Sequence, residues 1–197
     1  IGSSSISFDK PPFIIEGASI VGQKEGDGPL GKLFDVVEQD PMLGQETWEE
    51  AESLLQKEAI QKLLFKAGMS KEEIRYIFGG DLLGQLIATT FGILEFEVPF
   101  FGLYGACSTM GEALSLGAVM VEAGNADNVI AMASSHFASA ERQFRFPLSY
   151  GNQRPYAATW TVTGCGAVII STKKGFAKIT GITTGKIVDF GVKDAQN

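Results

Sequence analysis

An apolar strand followed at once by an almost uncharged helix occupies the middle of the sequence. Residues 98–104 are apolar and β-prone, and residues 106–122 alternate small and large apolar side chains. A helix at a protein surface normally carries a polar face, so we expect the helix 106–122 to be buried on most sides. Gly124 suits its C-terminal turn.

Strands and helices alternate along the rest of the chain. The sequence predicts helices within residues 47–67, 83–91 and 106–122, and strands at 13–21, 75–78, 98–104, 128–133, 165–171 and 179–190. Residues 23–30 are polar and glycine-rich, which indicates a loop. This alternation predicts an α/β fold with a mixed, mostly parallel sheet and helices on both faces.

The first long helix has clear boundary signals. Thr47 and Glu50 form the pattern of a capping box, and apolar residues then recur every three or four positions as far as Gly68. Ser70 and Glu73 repeat the capping pattern. We therefore expect one long helix from Thr47 to Gly68 and a second helical start at Ser70.

Composition excludes several classes of protein. The 197 residues are 45% hydrophobic and 20% charged, as in an ordinary globular protein. Lys and Arg number 16 against 23 Asp and Glu, and the net charge of -7 argues against a nucleic-acid partner. The sequence contains no transmembrane segment and no signal peptide at its start. Because it begins at Ile1 and stops at Asn197 just after an apparent strand, we expect it to be a fragment.

The two cysteines lie in different sequence contexts, and one of them is a candidate functional residue. Cys107 and Cys165 are far apart and show no spacing typical of a zinc site or a disulfide framework, so we predict no metal and a reducing compartment. Cys107 lies between the strand and the helix, where the helix dipole and free N–H groups favour a thiolate. It is a candidate nucleophile, or else a small buried apolar residue.

A run of arginines and aromatic residues follows residue 140. Arg142 and Arg145 are three residues apart, beside Phe144 and Phe146. Guanidinium binds carboxylates through two parallel hydrogen bonds, and aromatic rings stack on a flat ligand, so the run suits a planar dianion. Alternatively, Arg142 pairs with a structural carboxylate and Arg145 lies at a subunit interface. Arg154 is a weaker third candidate.

Two further polar residues follow predicted strands. His136 comes after Ser134 and Ser135 at a strand end, where ligand-facing groups collect in open α/β sheets. It is either a hydrogen-bond donor to a ligand or a structural histidine. Asp81, after two glycines, could orient a ligand or cap the following helix, which is the commoner role.

Several of these segments resemble known families. Residues 105–108, 131–136 and 164–168 resemble the ordered motifs of thiolases and 3-oxoacyl synthases, in which the first motif holds the active-site cysteine, here Cys107. Residues 24–33, 80–83, 134–136 and 140–147 are similar to the stage V sporulation protein AD family. Thiolase enzymes do not generally carry the run 140–147, so that segment is the most specific.

The resemblance implies a two-part fold. Thiolases consist of two similar halves, so residues 1–175 would form the N-terminal thiolase-like half and residues 176–197 would start a truncated second half. The enzymes take their activating histidines from the second half, whereas His136 is the sole histidine here.

The same resemblance implies a ligand. The family is understood to bind dipicolinic acid, pyridine-2,6-dicarboxylic acid, which is flat and doubly charged, for its uptake into the developing spore. We therefore favour non-catalytic binding, with no cofactor. The alternative is a 3-oxoacyl synthase or thiolase-type acyltransferase that uses Cys107 as its nucleophile with histidines from the missing half; a third is a subunit for assembly. The ligand-binding candidates are Asp81, Cys107, His136, Arg142, Phe144 and Arg145.

Partners and location are likewise implied by the resemblance. The ligand would arrive with or without calcium, and the other partners would be stage V sporulation membrane proteins. Such folds dimerise through the strand before the cysteine helix, here residues 98–104, so we expect a homodimer. The expected location is the forespore or spore, peripheral to the inner membrane, with a link to germination.

Overall fold

The structure is a computed structural model that describes residues 2–83, 85–144 and 161–192, with the backbone alone for 141–144. The strands are β1 (Ser5–Ser7), β2 (Phe13–Gly22), β3 (Val36–Glu38), β4 (Tyr76–Asp81), β5 (Phe100–Gly102), β6 (Asn128–Ser135), β7 (Gly164–Ser171), β8 (Ala177–Lys178) and β9 (Gly181–Thr183). The helices are α1 (Gln23–Gly26), α2 (Trp48–Ala67), α3 (Ile87–Ile93), α4 (Thr109–Glu122) and α5 (Phe137–Phe144).

A seven-stranded sheet organises the described chain, in the order β3-β2-β7-β6-β4-β5 with β8 also beside β2. Strands β2, β3, β4, β5 and β6 run in one direction, while β7 and β8 run in the other. The predicted α/β fold with a mixed, mostly parallel sheet is therefore confirmed. Strands β1 and β9 form a separate antiparallel pair.

Helix α2 covers one face of the sheet. Its start has the predicted capping box: Thr47 Oγ1 accepts from the Glu50 N–H, and the Glu50 carboxylate accepts from the Thr47 N–H. Its end is Gly68 at φ 62°, a left-handed conformation that glycine adopts without strain. The apolar stripe, which includes Leu55, Ile60 and Leu63, is fully buried against strands β2, β6 and β7.

Helix α4 covers the opposite face, so the prediction of helices on both faces is confirmed. Its buried positions pack on β4, β6 and β7 and are spaced for one helix face. A Cβ at Gly117 would lie 2.9 Å from Ile170 Cδ1 and 3.1 Å from Val129 Cγ2. The missing side chain therefore lets the helix approach the sheet closely.

The predicted burial of α4 on most sides is wrong for this chain. Leu116 is 45% exposed and Val119 36%, because only one face of α4 packs on the sheet. An apolar sequence indicates that a face is suited to burial, but a covering layer must also be present. The outer face of α4 is open to solvent here.

Three local predictions also differ from the structure. Residues 23–26 form the short helix α1 rather than a loop. Of the predicted strand 98–104, only the three residues of β5 form a strand, and they pair with β4. Of the predicted strand 179–190, only β9 forms. The later residues Ile187, Val188 and Phe190 are exposed. A β-prone sequence forms a strand only where a partner strand is available for pairing.

Candidate ligand site at the carboxyl edge of the sheet

Three parallel strands end at one edge of the sheet. Strand β4 pairs with β5 on one side and β6 on the other, with Gly79 opposite Gly102 and Asp81 opposite Ser134. Ligands of open α/β sheets bind at such carboxyl edges. The segment after β5 leads to Cys107, and the segment after β6 leads to helix α5. Both segments therefore leave the sheet at the same edge.

Cys107 lies in a 3-10 turn, Ala106–Ser108, that continues directly into α4, as the sequence predicted. Its side chain is exposed, which argues against the alternative of a buried apolar cysteine. Ala106 has φ 48°, a left-handed conformation uncommon for a residue with a Cβ. A Cβ at Gly105 would lie 2.6 Å from Ser108 Oγ and 2.7 Å from a Glu112 carboxylate oxygen, so a larger residue there would displace these side chains.

Asp81 is fully buried at the end of β4. Its carboxylate accepts from the Leu86 N–H at 3.3 Å, the Thr89 N–H at 3.0 Å and the Thr89 hydroxyl at 2.7 Å. These donors belong to the start of α3 and the residue before it. Of the two roles considered for Asp81, the geometry favours helix capping.

His136 is also fully buried. Its Nδ1 accepts from the Ala138 N–H at 3.2 Å, so the ring proton is on Nε2, which lies 2.8 Å from the Pro41 carbonyl oxygen. Burial lowers the pKa of the imidazole, which favours this neutral form. The ring packs 5.3 Å from Trp48 and 5.1 Å from Phe137, centroid to centroid. His136 thus has a structural set of contacts.

A buried carboxyl group lies beneath this edge. Glu52 of α2 is 2% exposed and accepts from the Ser134 hydroxyl at 2.7 Å and the Ser139 hydroxyl at 3.0 Å. Burial raises its pKa to about 7, and the negative charge of Asp81 adds to the effect, while the two serine hydrogen bonds oppose it. Glu52 therefore joins α2 to the end of β6 and to α5.

Gln56 extends this buried polar chain towards Asp81. Its Nε2 donates to Ser134 Oγ at 2.6 Å and to Thr89 Oγ1 at 3.0 Å, and Thr89 in turn donates to Asp81. Gln56 and Thr89 are both fully buried. Hydrogen bonds consequently link α2, α3, α5 and the ends of β4 and β6 into one network.

Sequence reasoning missed Glu52 and Gln56. Both lie within the buried part of α2, among apolar residues, four positions apart. Polar residues at core-facing positions of a strong apolar stripe are the signal that could have revealed them, because buried polar groups need partners.

The remaining candidates lie at or beyond the end of α5. Arg142 and Phe144 belong to the helix, whose backbone is described, but their side chains lie outside the described part. Arg145, Phe146 and Arg154 lie outside the described residues altogether.

The described residues show neither a metal-binding cluster nor a membrane-spanning helix. No group of three or more His, Cys, Asp or Glu side chains among them could hold a metal ion. Within the same residues no helix is long and apolar enough to cross a membrane.

Comparison with known proteins decides the family. The sequence model of stage V sporulation protein AD (SpoVAD) matches residues 2–197. The chain is also 40% identical over 193 residues to the stage V sporulation protein AD of Bacillus subtilis (strain 168). The chain belongs to the stage V sporulation protein AD family. The match to the Bacillus SpoVAD covers 98% of this chain and 57% of that protein, so the chain spans little more than half of its relative's length.

Solved structures show the fold of the chain. It is similar to the priming β-ketosynthase of the R1128 polyketide pathway, with a TM-score of 0.55, 17% identity and coverage of 84% of this chain and 51% of that one. The 3-oxoacyl-[acyl-carrier-protein] synthase III of Aquifex aeolicus VF5 matches with the same TM-score and identity, over 81% and 53%. The fold is thiolase-like, and fold alone carries no activity across.

Proposed function

We propose that the complete protein binds dipicolinic acid without converting it, for uptake of this ligand into the developing spore. One observation carries the proposal: helix α5, whose last turn includes Arg142, leaves the sheet at the same carboxyl edge as the exposed Cys107. Helix α5 and the turn that holds Cys107 are distant in sequence, and the topology brings both to one edge.

The chemistry of the arginine run fits this ligand. Dipicolinate carries two carboxylates on a flat ring, and each guanidinium can bind one carboxylate through paired hydrogen bonds. Phe144 and Phe146 supply faces for the ring. Binding of this kind needs no cofactor and no proton transfer.

The contacts of His136 suit a structural histidine rather than the base of an acyl transfer, so any histidine that activates Cys107 would come from the remainder of the protein. Activation of a cysteine nucleophile uses an adjacent base. His136 is the sole histidine of the chain, and its two ring nitrogens are engaged with Pro41 and Ala138. Within the described residues, Cys107 therefore has no histidine free to activate it.

The second candidate function is acyl transfer of the 3-oxoacyl synthase kind. The exposed thiol of Cys107 beside Ala106 at positive φ favours it, because backbone strain collects at functional sites. Histidines from the remainder of the protein would then have to activate the thiol.

We extend the proposal to assembly and location. Strand β5 is at the edge of the described sheet. Phe101 within it is 43% exposed and Tyr104 just after it is 61% exposed, which suits a homodimer formed through this edge. The complete protein would act at the periphery of the spore inner membrane, with membrane-spanning stage V sporulation proteins as partners. The ligand would arrive with or without calcium.

Calorimetry with the complete protein tests the ligand. Dipicolinate should bind, and pyridine-2-carboxylate, with a single carboxylate, should bind much more weakly. Arg142→Ala and Arg145→Ala should each weaken binding by about 2 to 3 kcal/mol, and Cys107→Ala by less. Arg75→Ala is the matched control, because Arg75 precedes β4 at the opposite edge and stacks on Tyr76 at 4.8 Å.

Two results would overturn this proposal. One is the absence of dipicolinate binding to the wild type; the other is unchanged affinity in both Arg142→Ala and Arg145→Ala. Turnover of an acyl-coenzyme A above the free-thiol background, lost in Cys107→Ala, would favour acyl transfer instead.

A further inference from the structure

The carboxyl group of Glu52 connects three elements that meet at the candidate site. It projects from α2, accepts a hydrogen bond from Ser134 at the end of β6, and accepts another from Ser139 in α5. All three side chains are buried, with 2%, 8% and 9% of their surfaces exposed. The group is not needed to form α2, whose caps and apolar stripe are elsewhere.

Burying a carboxyl group is less favourable for stability than burying an apolar side chain of similar size. Removing an ionisable group from water is unfavourable unless hydrogen bonds compensate, and an apolar residue of similar volume would avoid that cost. What the carboxyl offers is two acceptor atoms with fixed directions, one for each serine. Such a group defines geometry more strictly than apolar contact does.

Helix α5 has particular need of an anchor. It has eight residues, which is too short for a helix to be stable by itself in water. His136, bonded to Pro41, holds the chain just before it. Ser139, the third residue of the helix, then provides a second fixed point, and Arg142 lies three residues after it.

We infer that Glu52 is a positioning residue for the ligand site: through Ser139 it fixes helix α5, and with it the backbone of Arg142, at the carboxyl edge of the sheet. The inference rests on the proposed role of Arg142 in binding dipicolinate. A binding group must be held within about 0.5 Å of its productive position by supporting hydrogen bonds, and Glu52 supplies such support.

Substitutions can separate this role from general stability. Glu52→Gln preserves the geometry: the amide oxygen accepts from Ser134, and the amide nitrogen donates to Ser139 Oγ, whose own proton goes to the His136 carbonyl at 3.1 Å. Glu52→Leu removes both links, and Ser139→Ala removes the link to α5 alone.

A matched control lies at the opposite edge of the sheet. The buried Ser171 hydroxyl donates to Asn128 Oδ1 at 2.6 Å, where β7 ends and β6 begins. Ser171→Ala therefore deletes one buried hydroxyl, as Ser139→Ala does, without touching α5.

Calorimetric titration of the complete protein with dipicolinate is the first test. Glu52→Leu and Ser139→Ala should weaken binding about tenfold or more, whereas Glu52→Gln and Ser171→Ala should stay within about threefold of the wild type. If Ser139→Ala binds like the wild type, or if Ser171→Ala weakens binding equally, the inference is overturned. Should Glu52→Leu fail to fold, the other three variants still decide.

Hydrogen exchange of the amides in α5 is the second test, and it needs no ligand. Ser139→Ala should speed exchange in residues 137–144 while leaving α2 protected, and Ser171→Ala should leave α5 unchanged. Equal exchange of α5 in wild type and Ser139→Ala would overturn the inference. If the wild type binds no dipicolinate, the proposed function fails, and this exchange measurement alone decides whether Glu52 and Ser139 anchor α5.

Discussion

Glu52 Oε1 lies 2.7 Å from the hydroxyl oxygen of Ser134, although the two residues are 82 positions apart in the chain. Both are buried, and the burial raises the pKa of the Glu52 carboxyl to about 7 from its ordinary value of 4.5. A carboxyl that titrates near neutral pH inside the fold makes the stability of the protein depend on pH.

The first prediction concerns this dependence. Because the pKa is higher in the folded state, the contribution of Glu52 to stability is fully present below pH 4.5 and is lost as the pH rises through 7. Glu52→Gln removes this term, on the order of 3 kcal/mol. The free energy of unfolding of Glu52→Gln minus that of the wild type should therefore be larger at pH 8 than at pH 5.

Denaturant unfolding of both complete proteins at the two pH values measures the effect. All other titrating groups are common to the two proteins, so the difference between them isolates Glu52. If the free energies of unfolding of the two proteins differ by the same amount at pH 5 and at pH 8, Glu52 does not titrate in this range.

The second prediction concerns the two cysteines. Cys107 is exposed and Cys165 buried, and burial raises the pKa of the Cys165 thiol, so less of the reactive thiolate is present. In the complete native protein, iodoacetamide should modify Cys107 and leave Cys165 intact until unfolding. Dipicolinate should slow the modification of Cys107, and pyridine-2-carboxylate should not.

Peptide mass spectrometry over a time course follows both sites in one sample. Faster modification of Cys165 than of Cys107 would contradict the burial pattern. Equal Cys107 rates with and without saturating dipicolinate would place the ligand away from this cysteine.

The third prediction concerns assembly. Phe101 in the edge strand β5 is 43% exposed and stacks on Phe78 at 4.8 Å. If β5 pairs with its copy in a partner subunit, Phe101→Arg should convert the dimer to a monomer. Phe65→Arg is the control, since Phe65 is 82% exposed and belongs to helix α2 rather than to the edge strand.

Light scattering after gel filtration of the complete protein gives the mass. A wild-type monomer, or a Phe101→Arg dimer as tight as that of Phe65→Arg, would rule out assembly through β5.

The fourth prediction concerns the capping box of α2. Thr47→Ala removes the oxygen that accepts from the Glu50 N–H at 3.2 Å and should lower the free energy of unfolding by about 1 kcal/mol. Thr47→Ser retains that oxygen and should cost much less. Equal losses in the two variants, measured by denaturant unfolding, would mean that the cap contributes little.

Local patterns in the sequence were sufficient for most elements of the fold. Thr47 with Glu50 and Gly68 predicted both ends of α2, and the apolar runs predicted β6 and β7, because capping, glycine conformation and apolar periodicity act within a few residues. The motifs at residues 24–33, 80–83, 134–136 and 140–147 predicted the family, and the motif order that begins at Cys107 predicted the thiolase-like fold. Predictions that needed a partner surface were less successful, as the exposed face of α4 and the missing strand after β9 illustrate.

The roles of the polar residues at the carboxyl edge were decided by tertiary structure alone. Sequence placed Asp81 and His136 at strand ends but left two roles open for each, and it passed over Glu52. Asp81 meets Thr89 only because α3 turns back over β4, and His136 meets Pro41 across 95 residues. The bonds of His136 and Glu52 join groups that are distant in the chain, and the bond of Asp81 requires α3 to fold back on β4, so these partners meet only once the layers have packed.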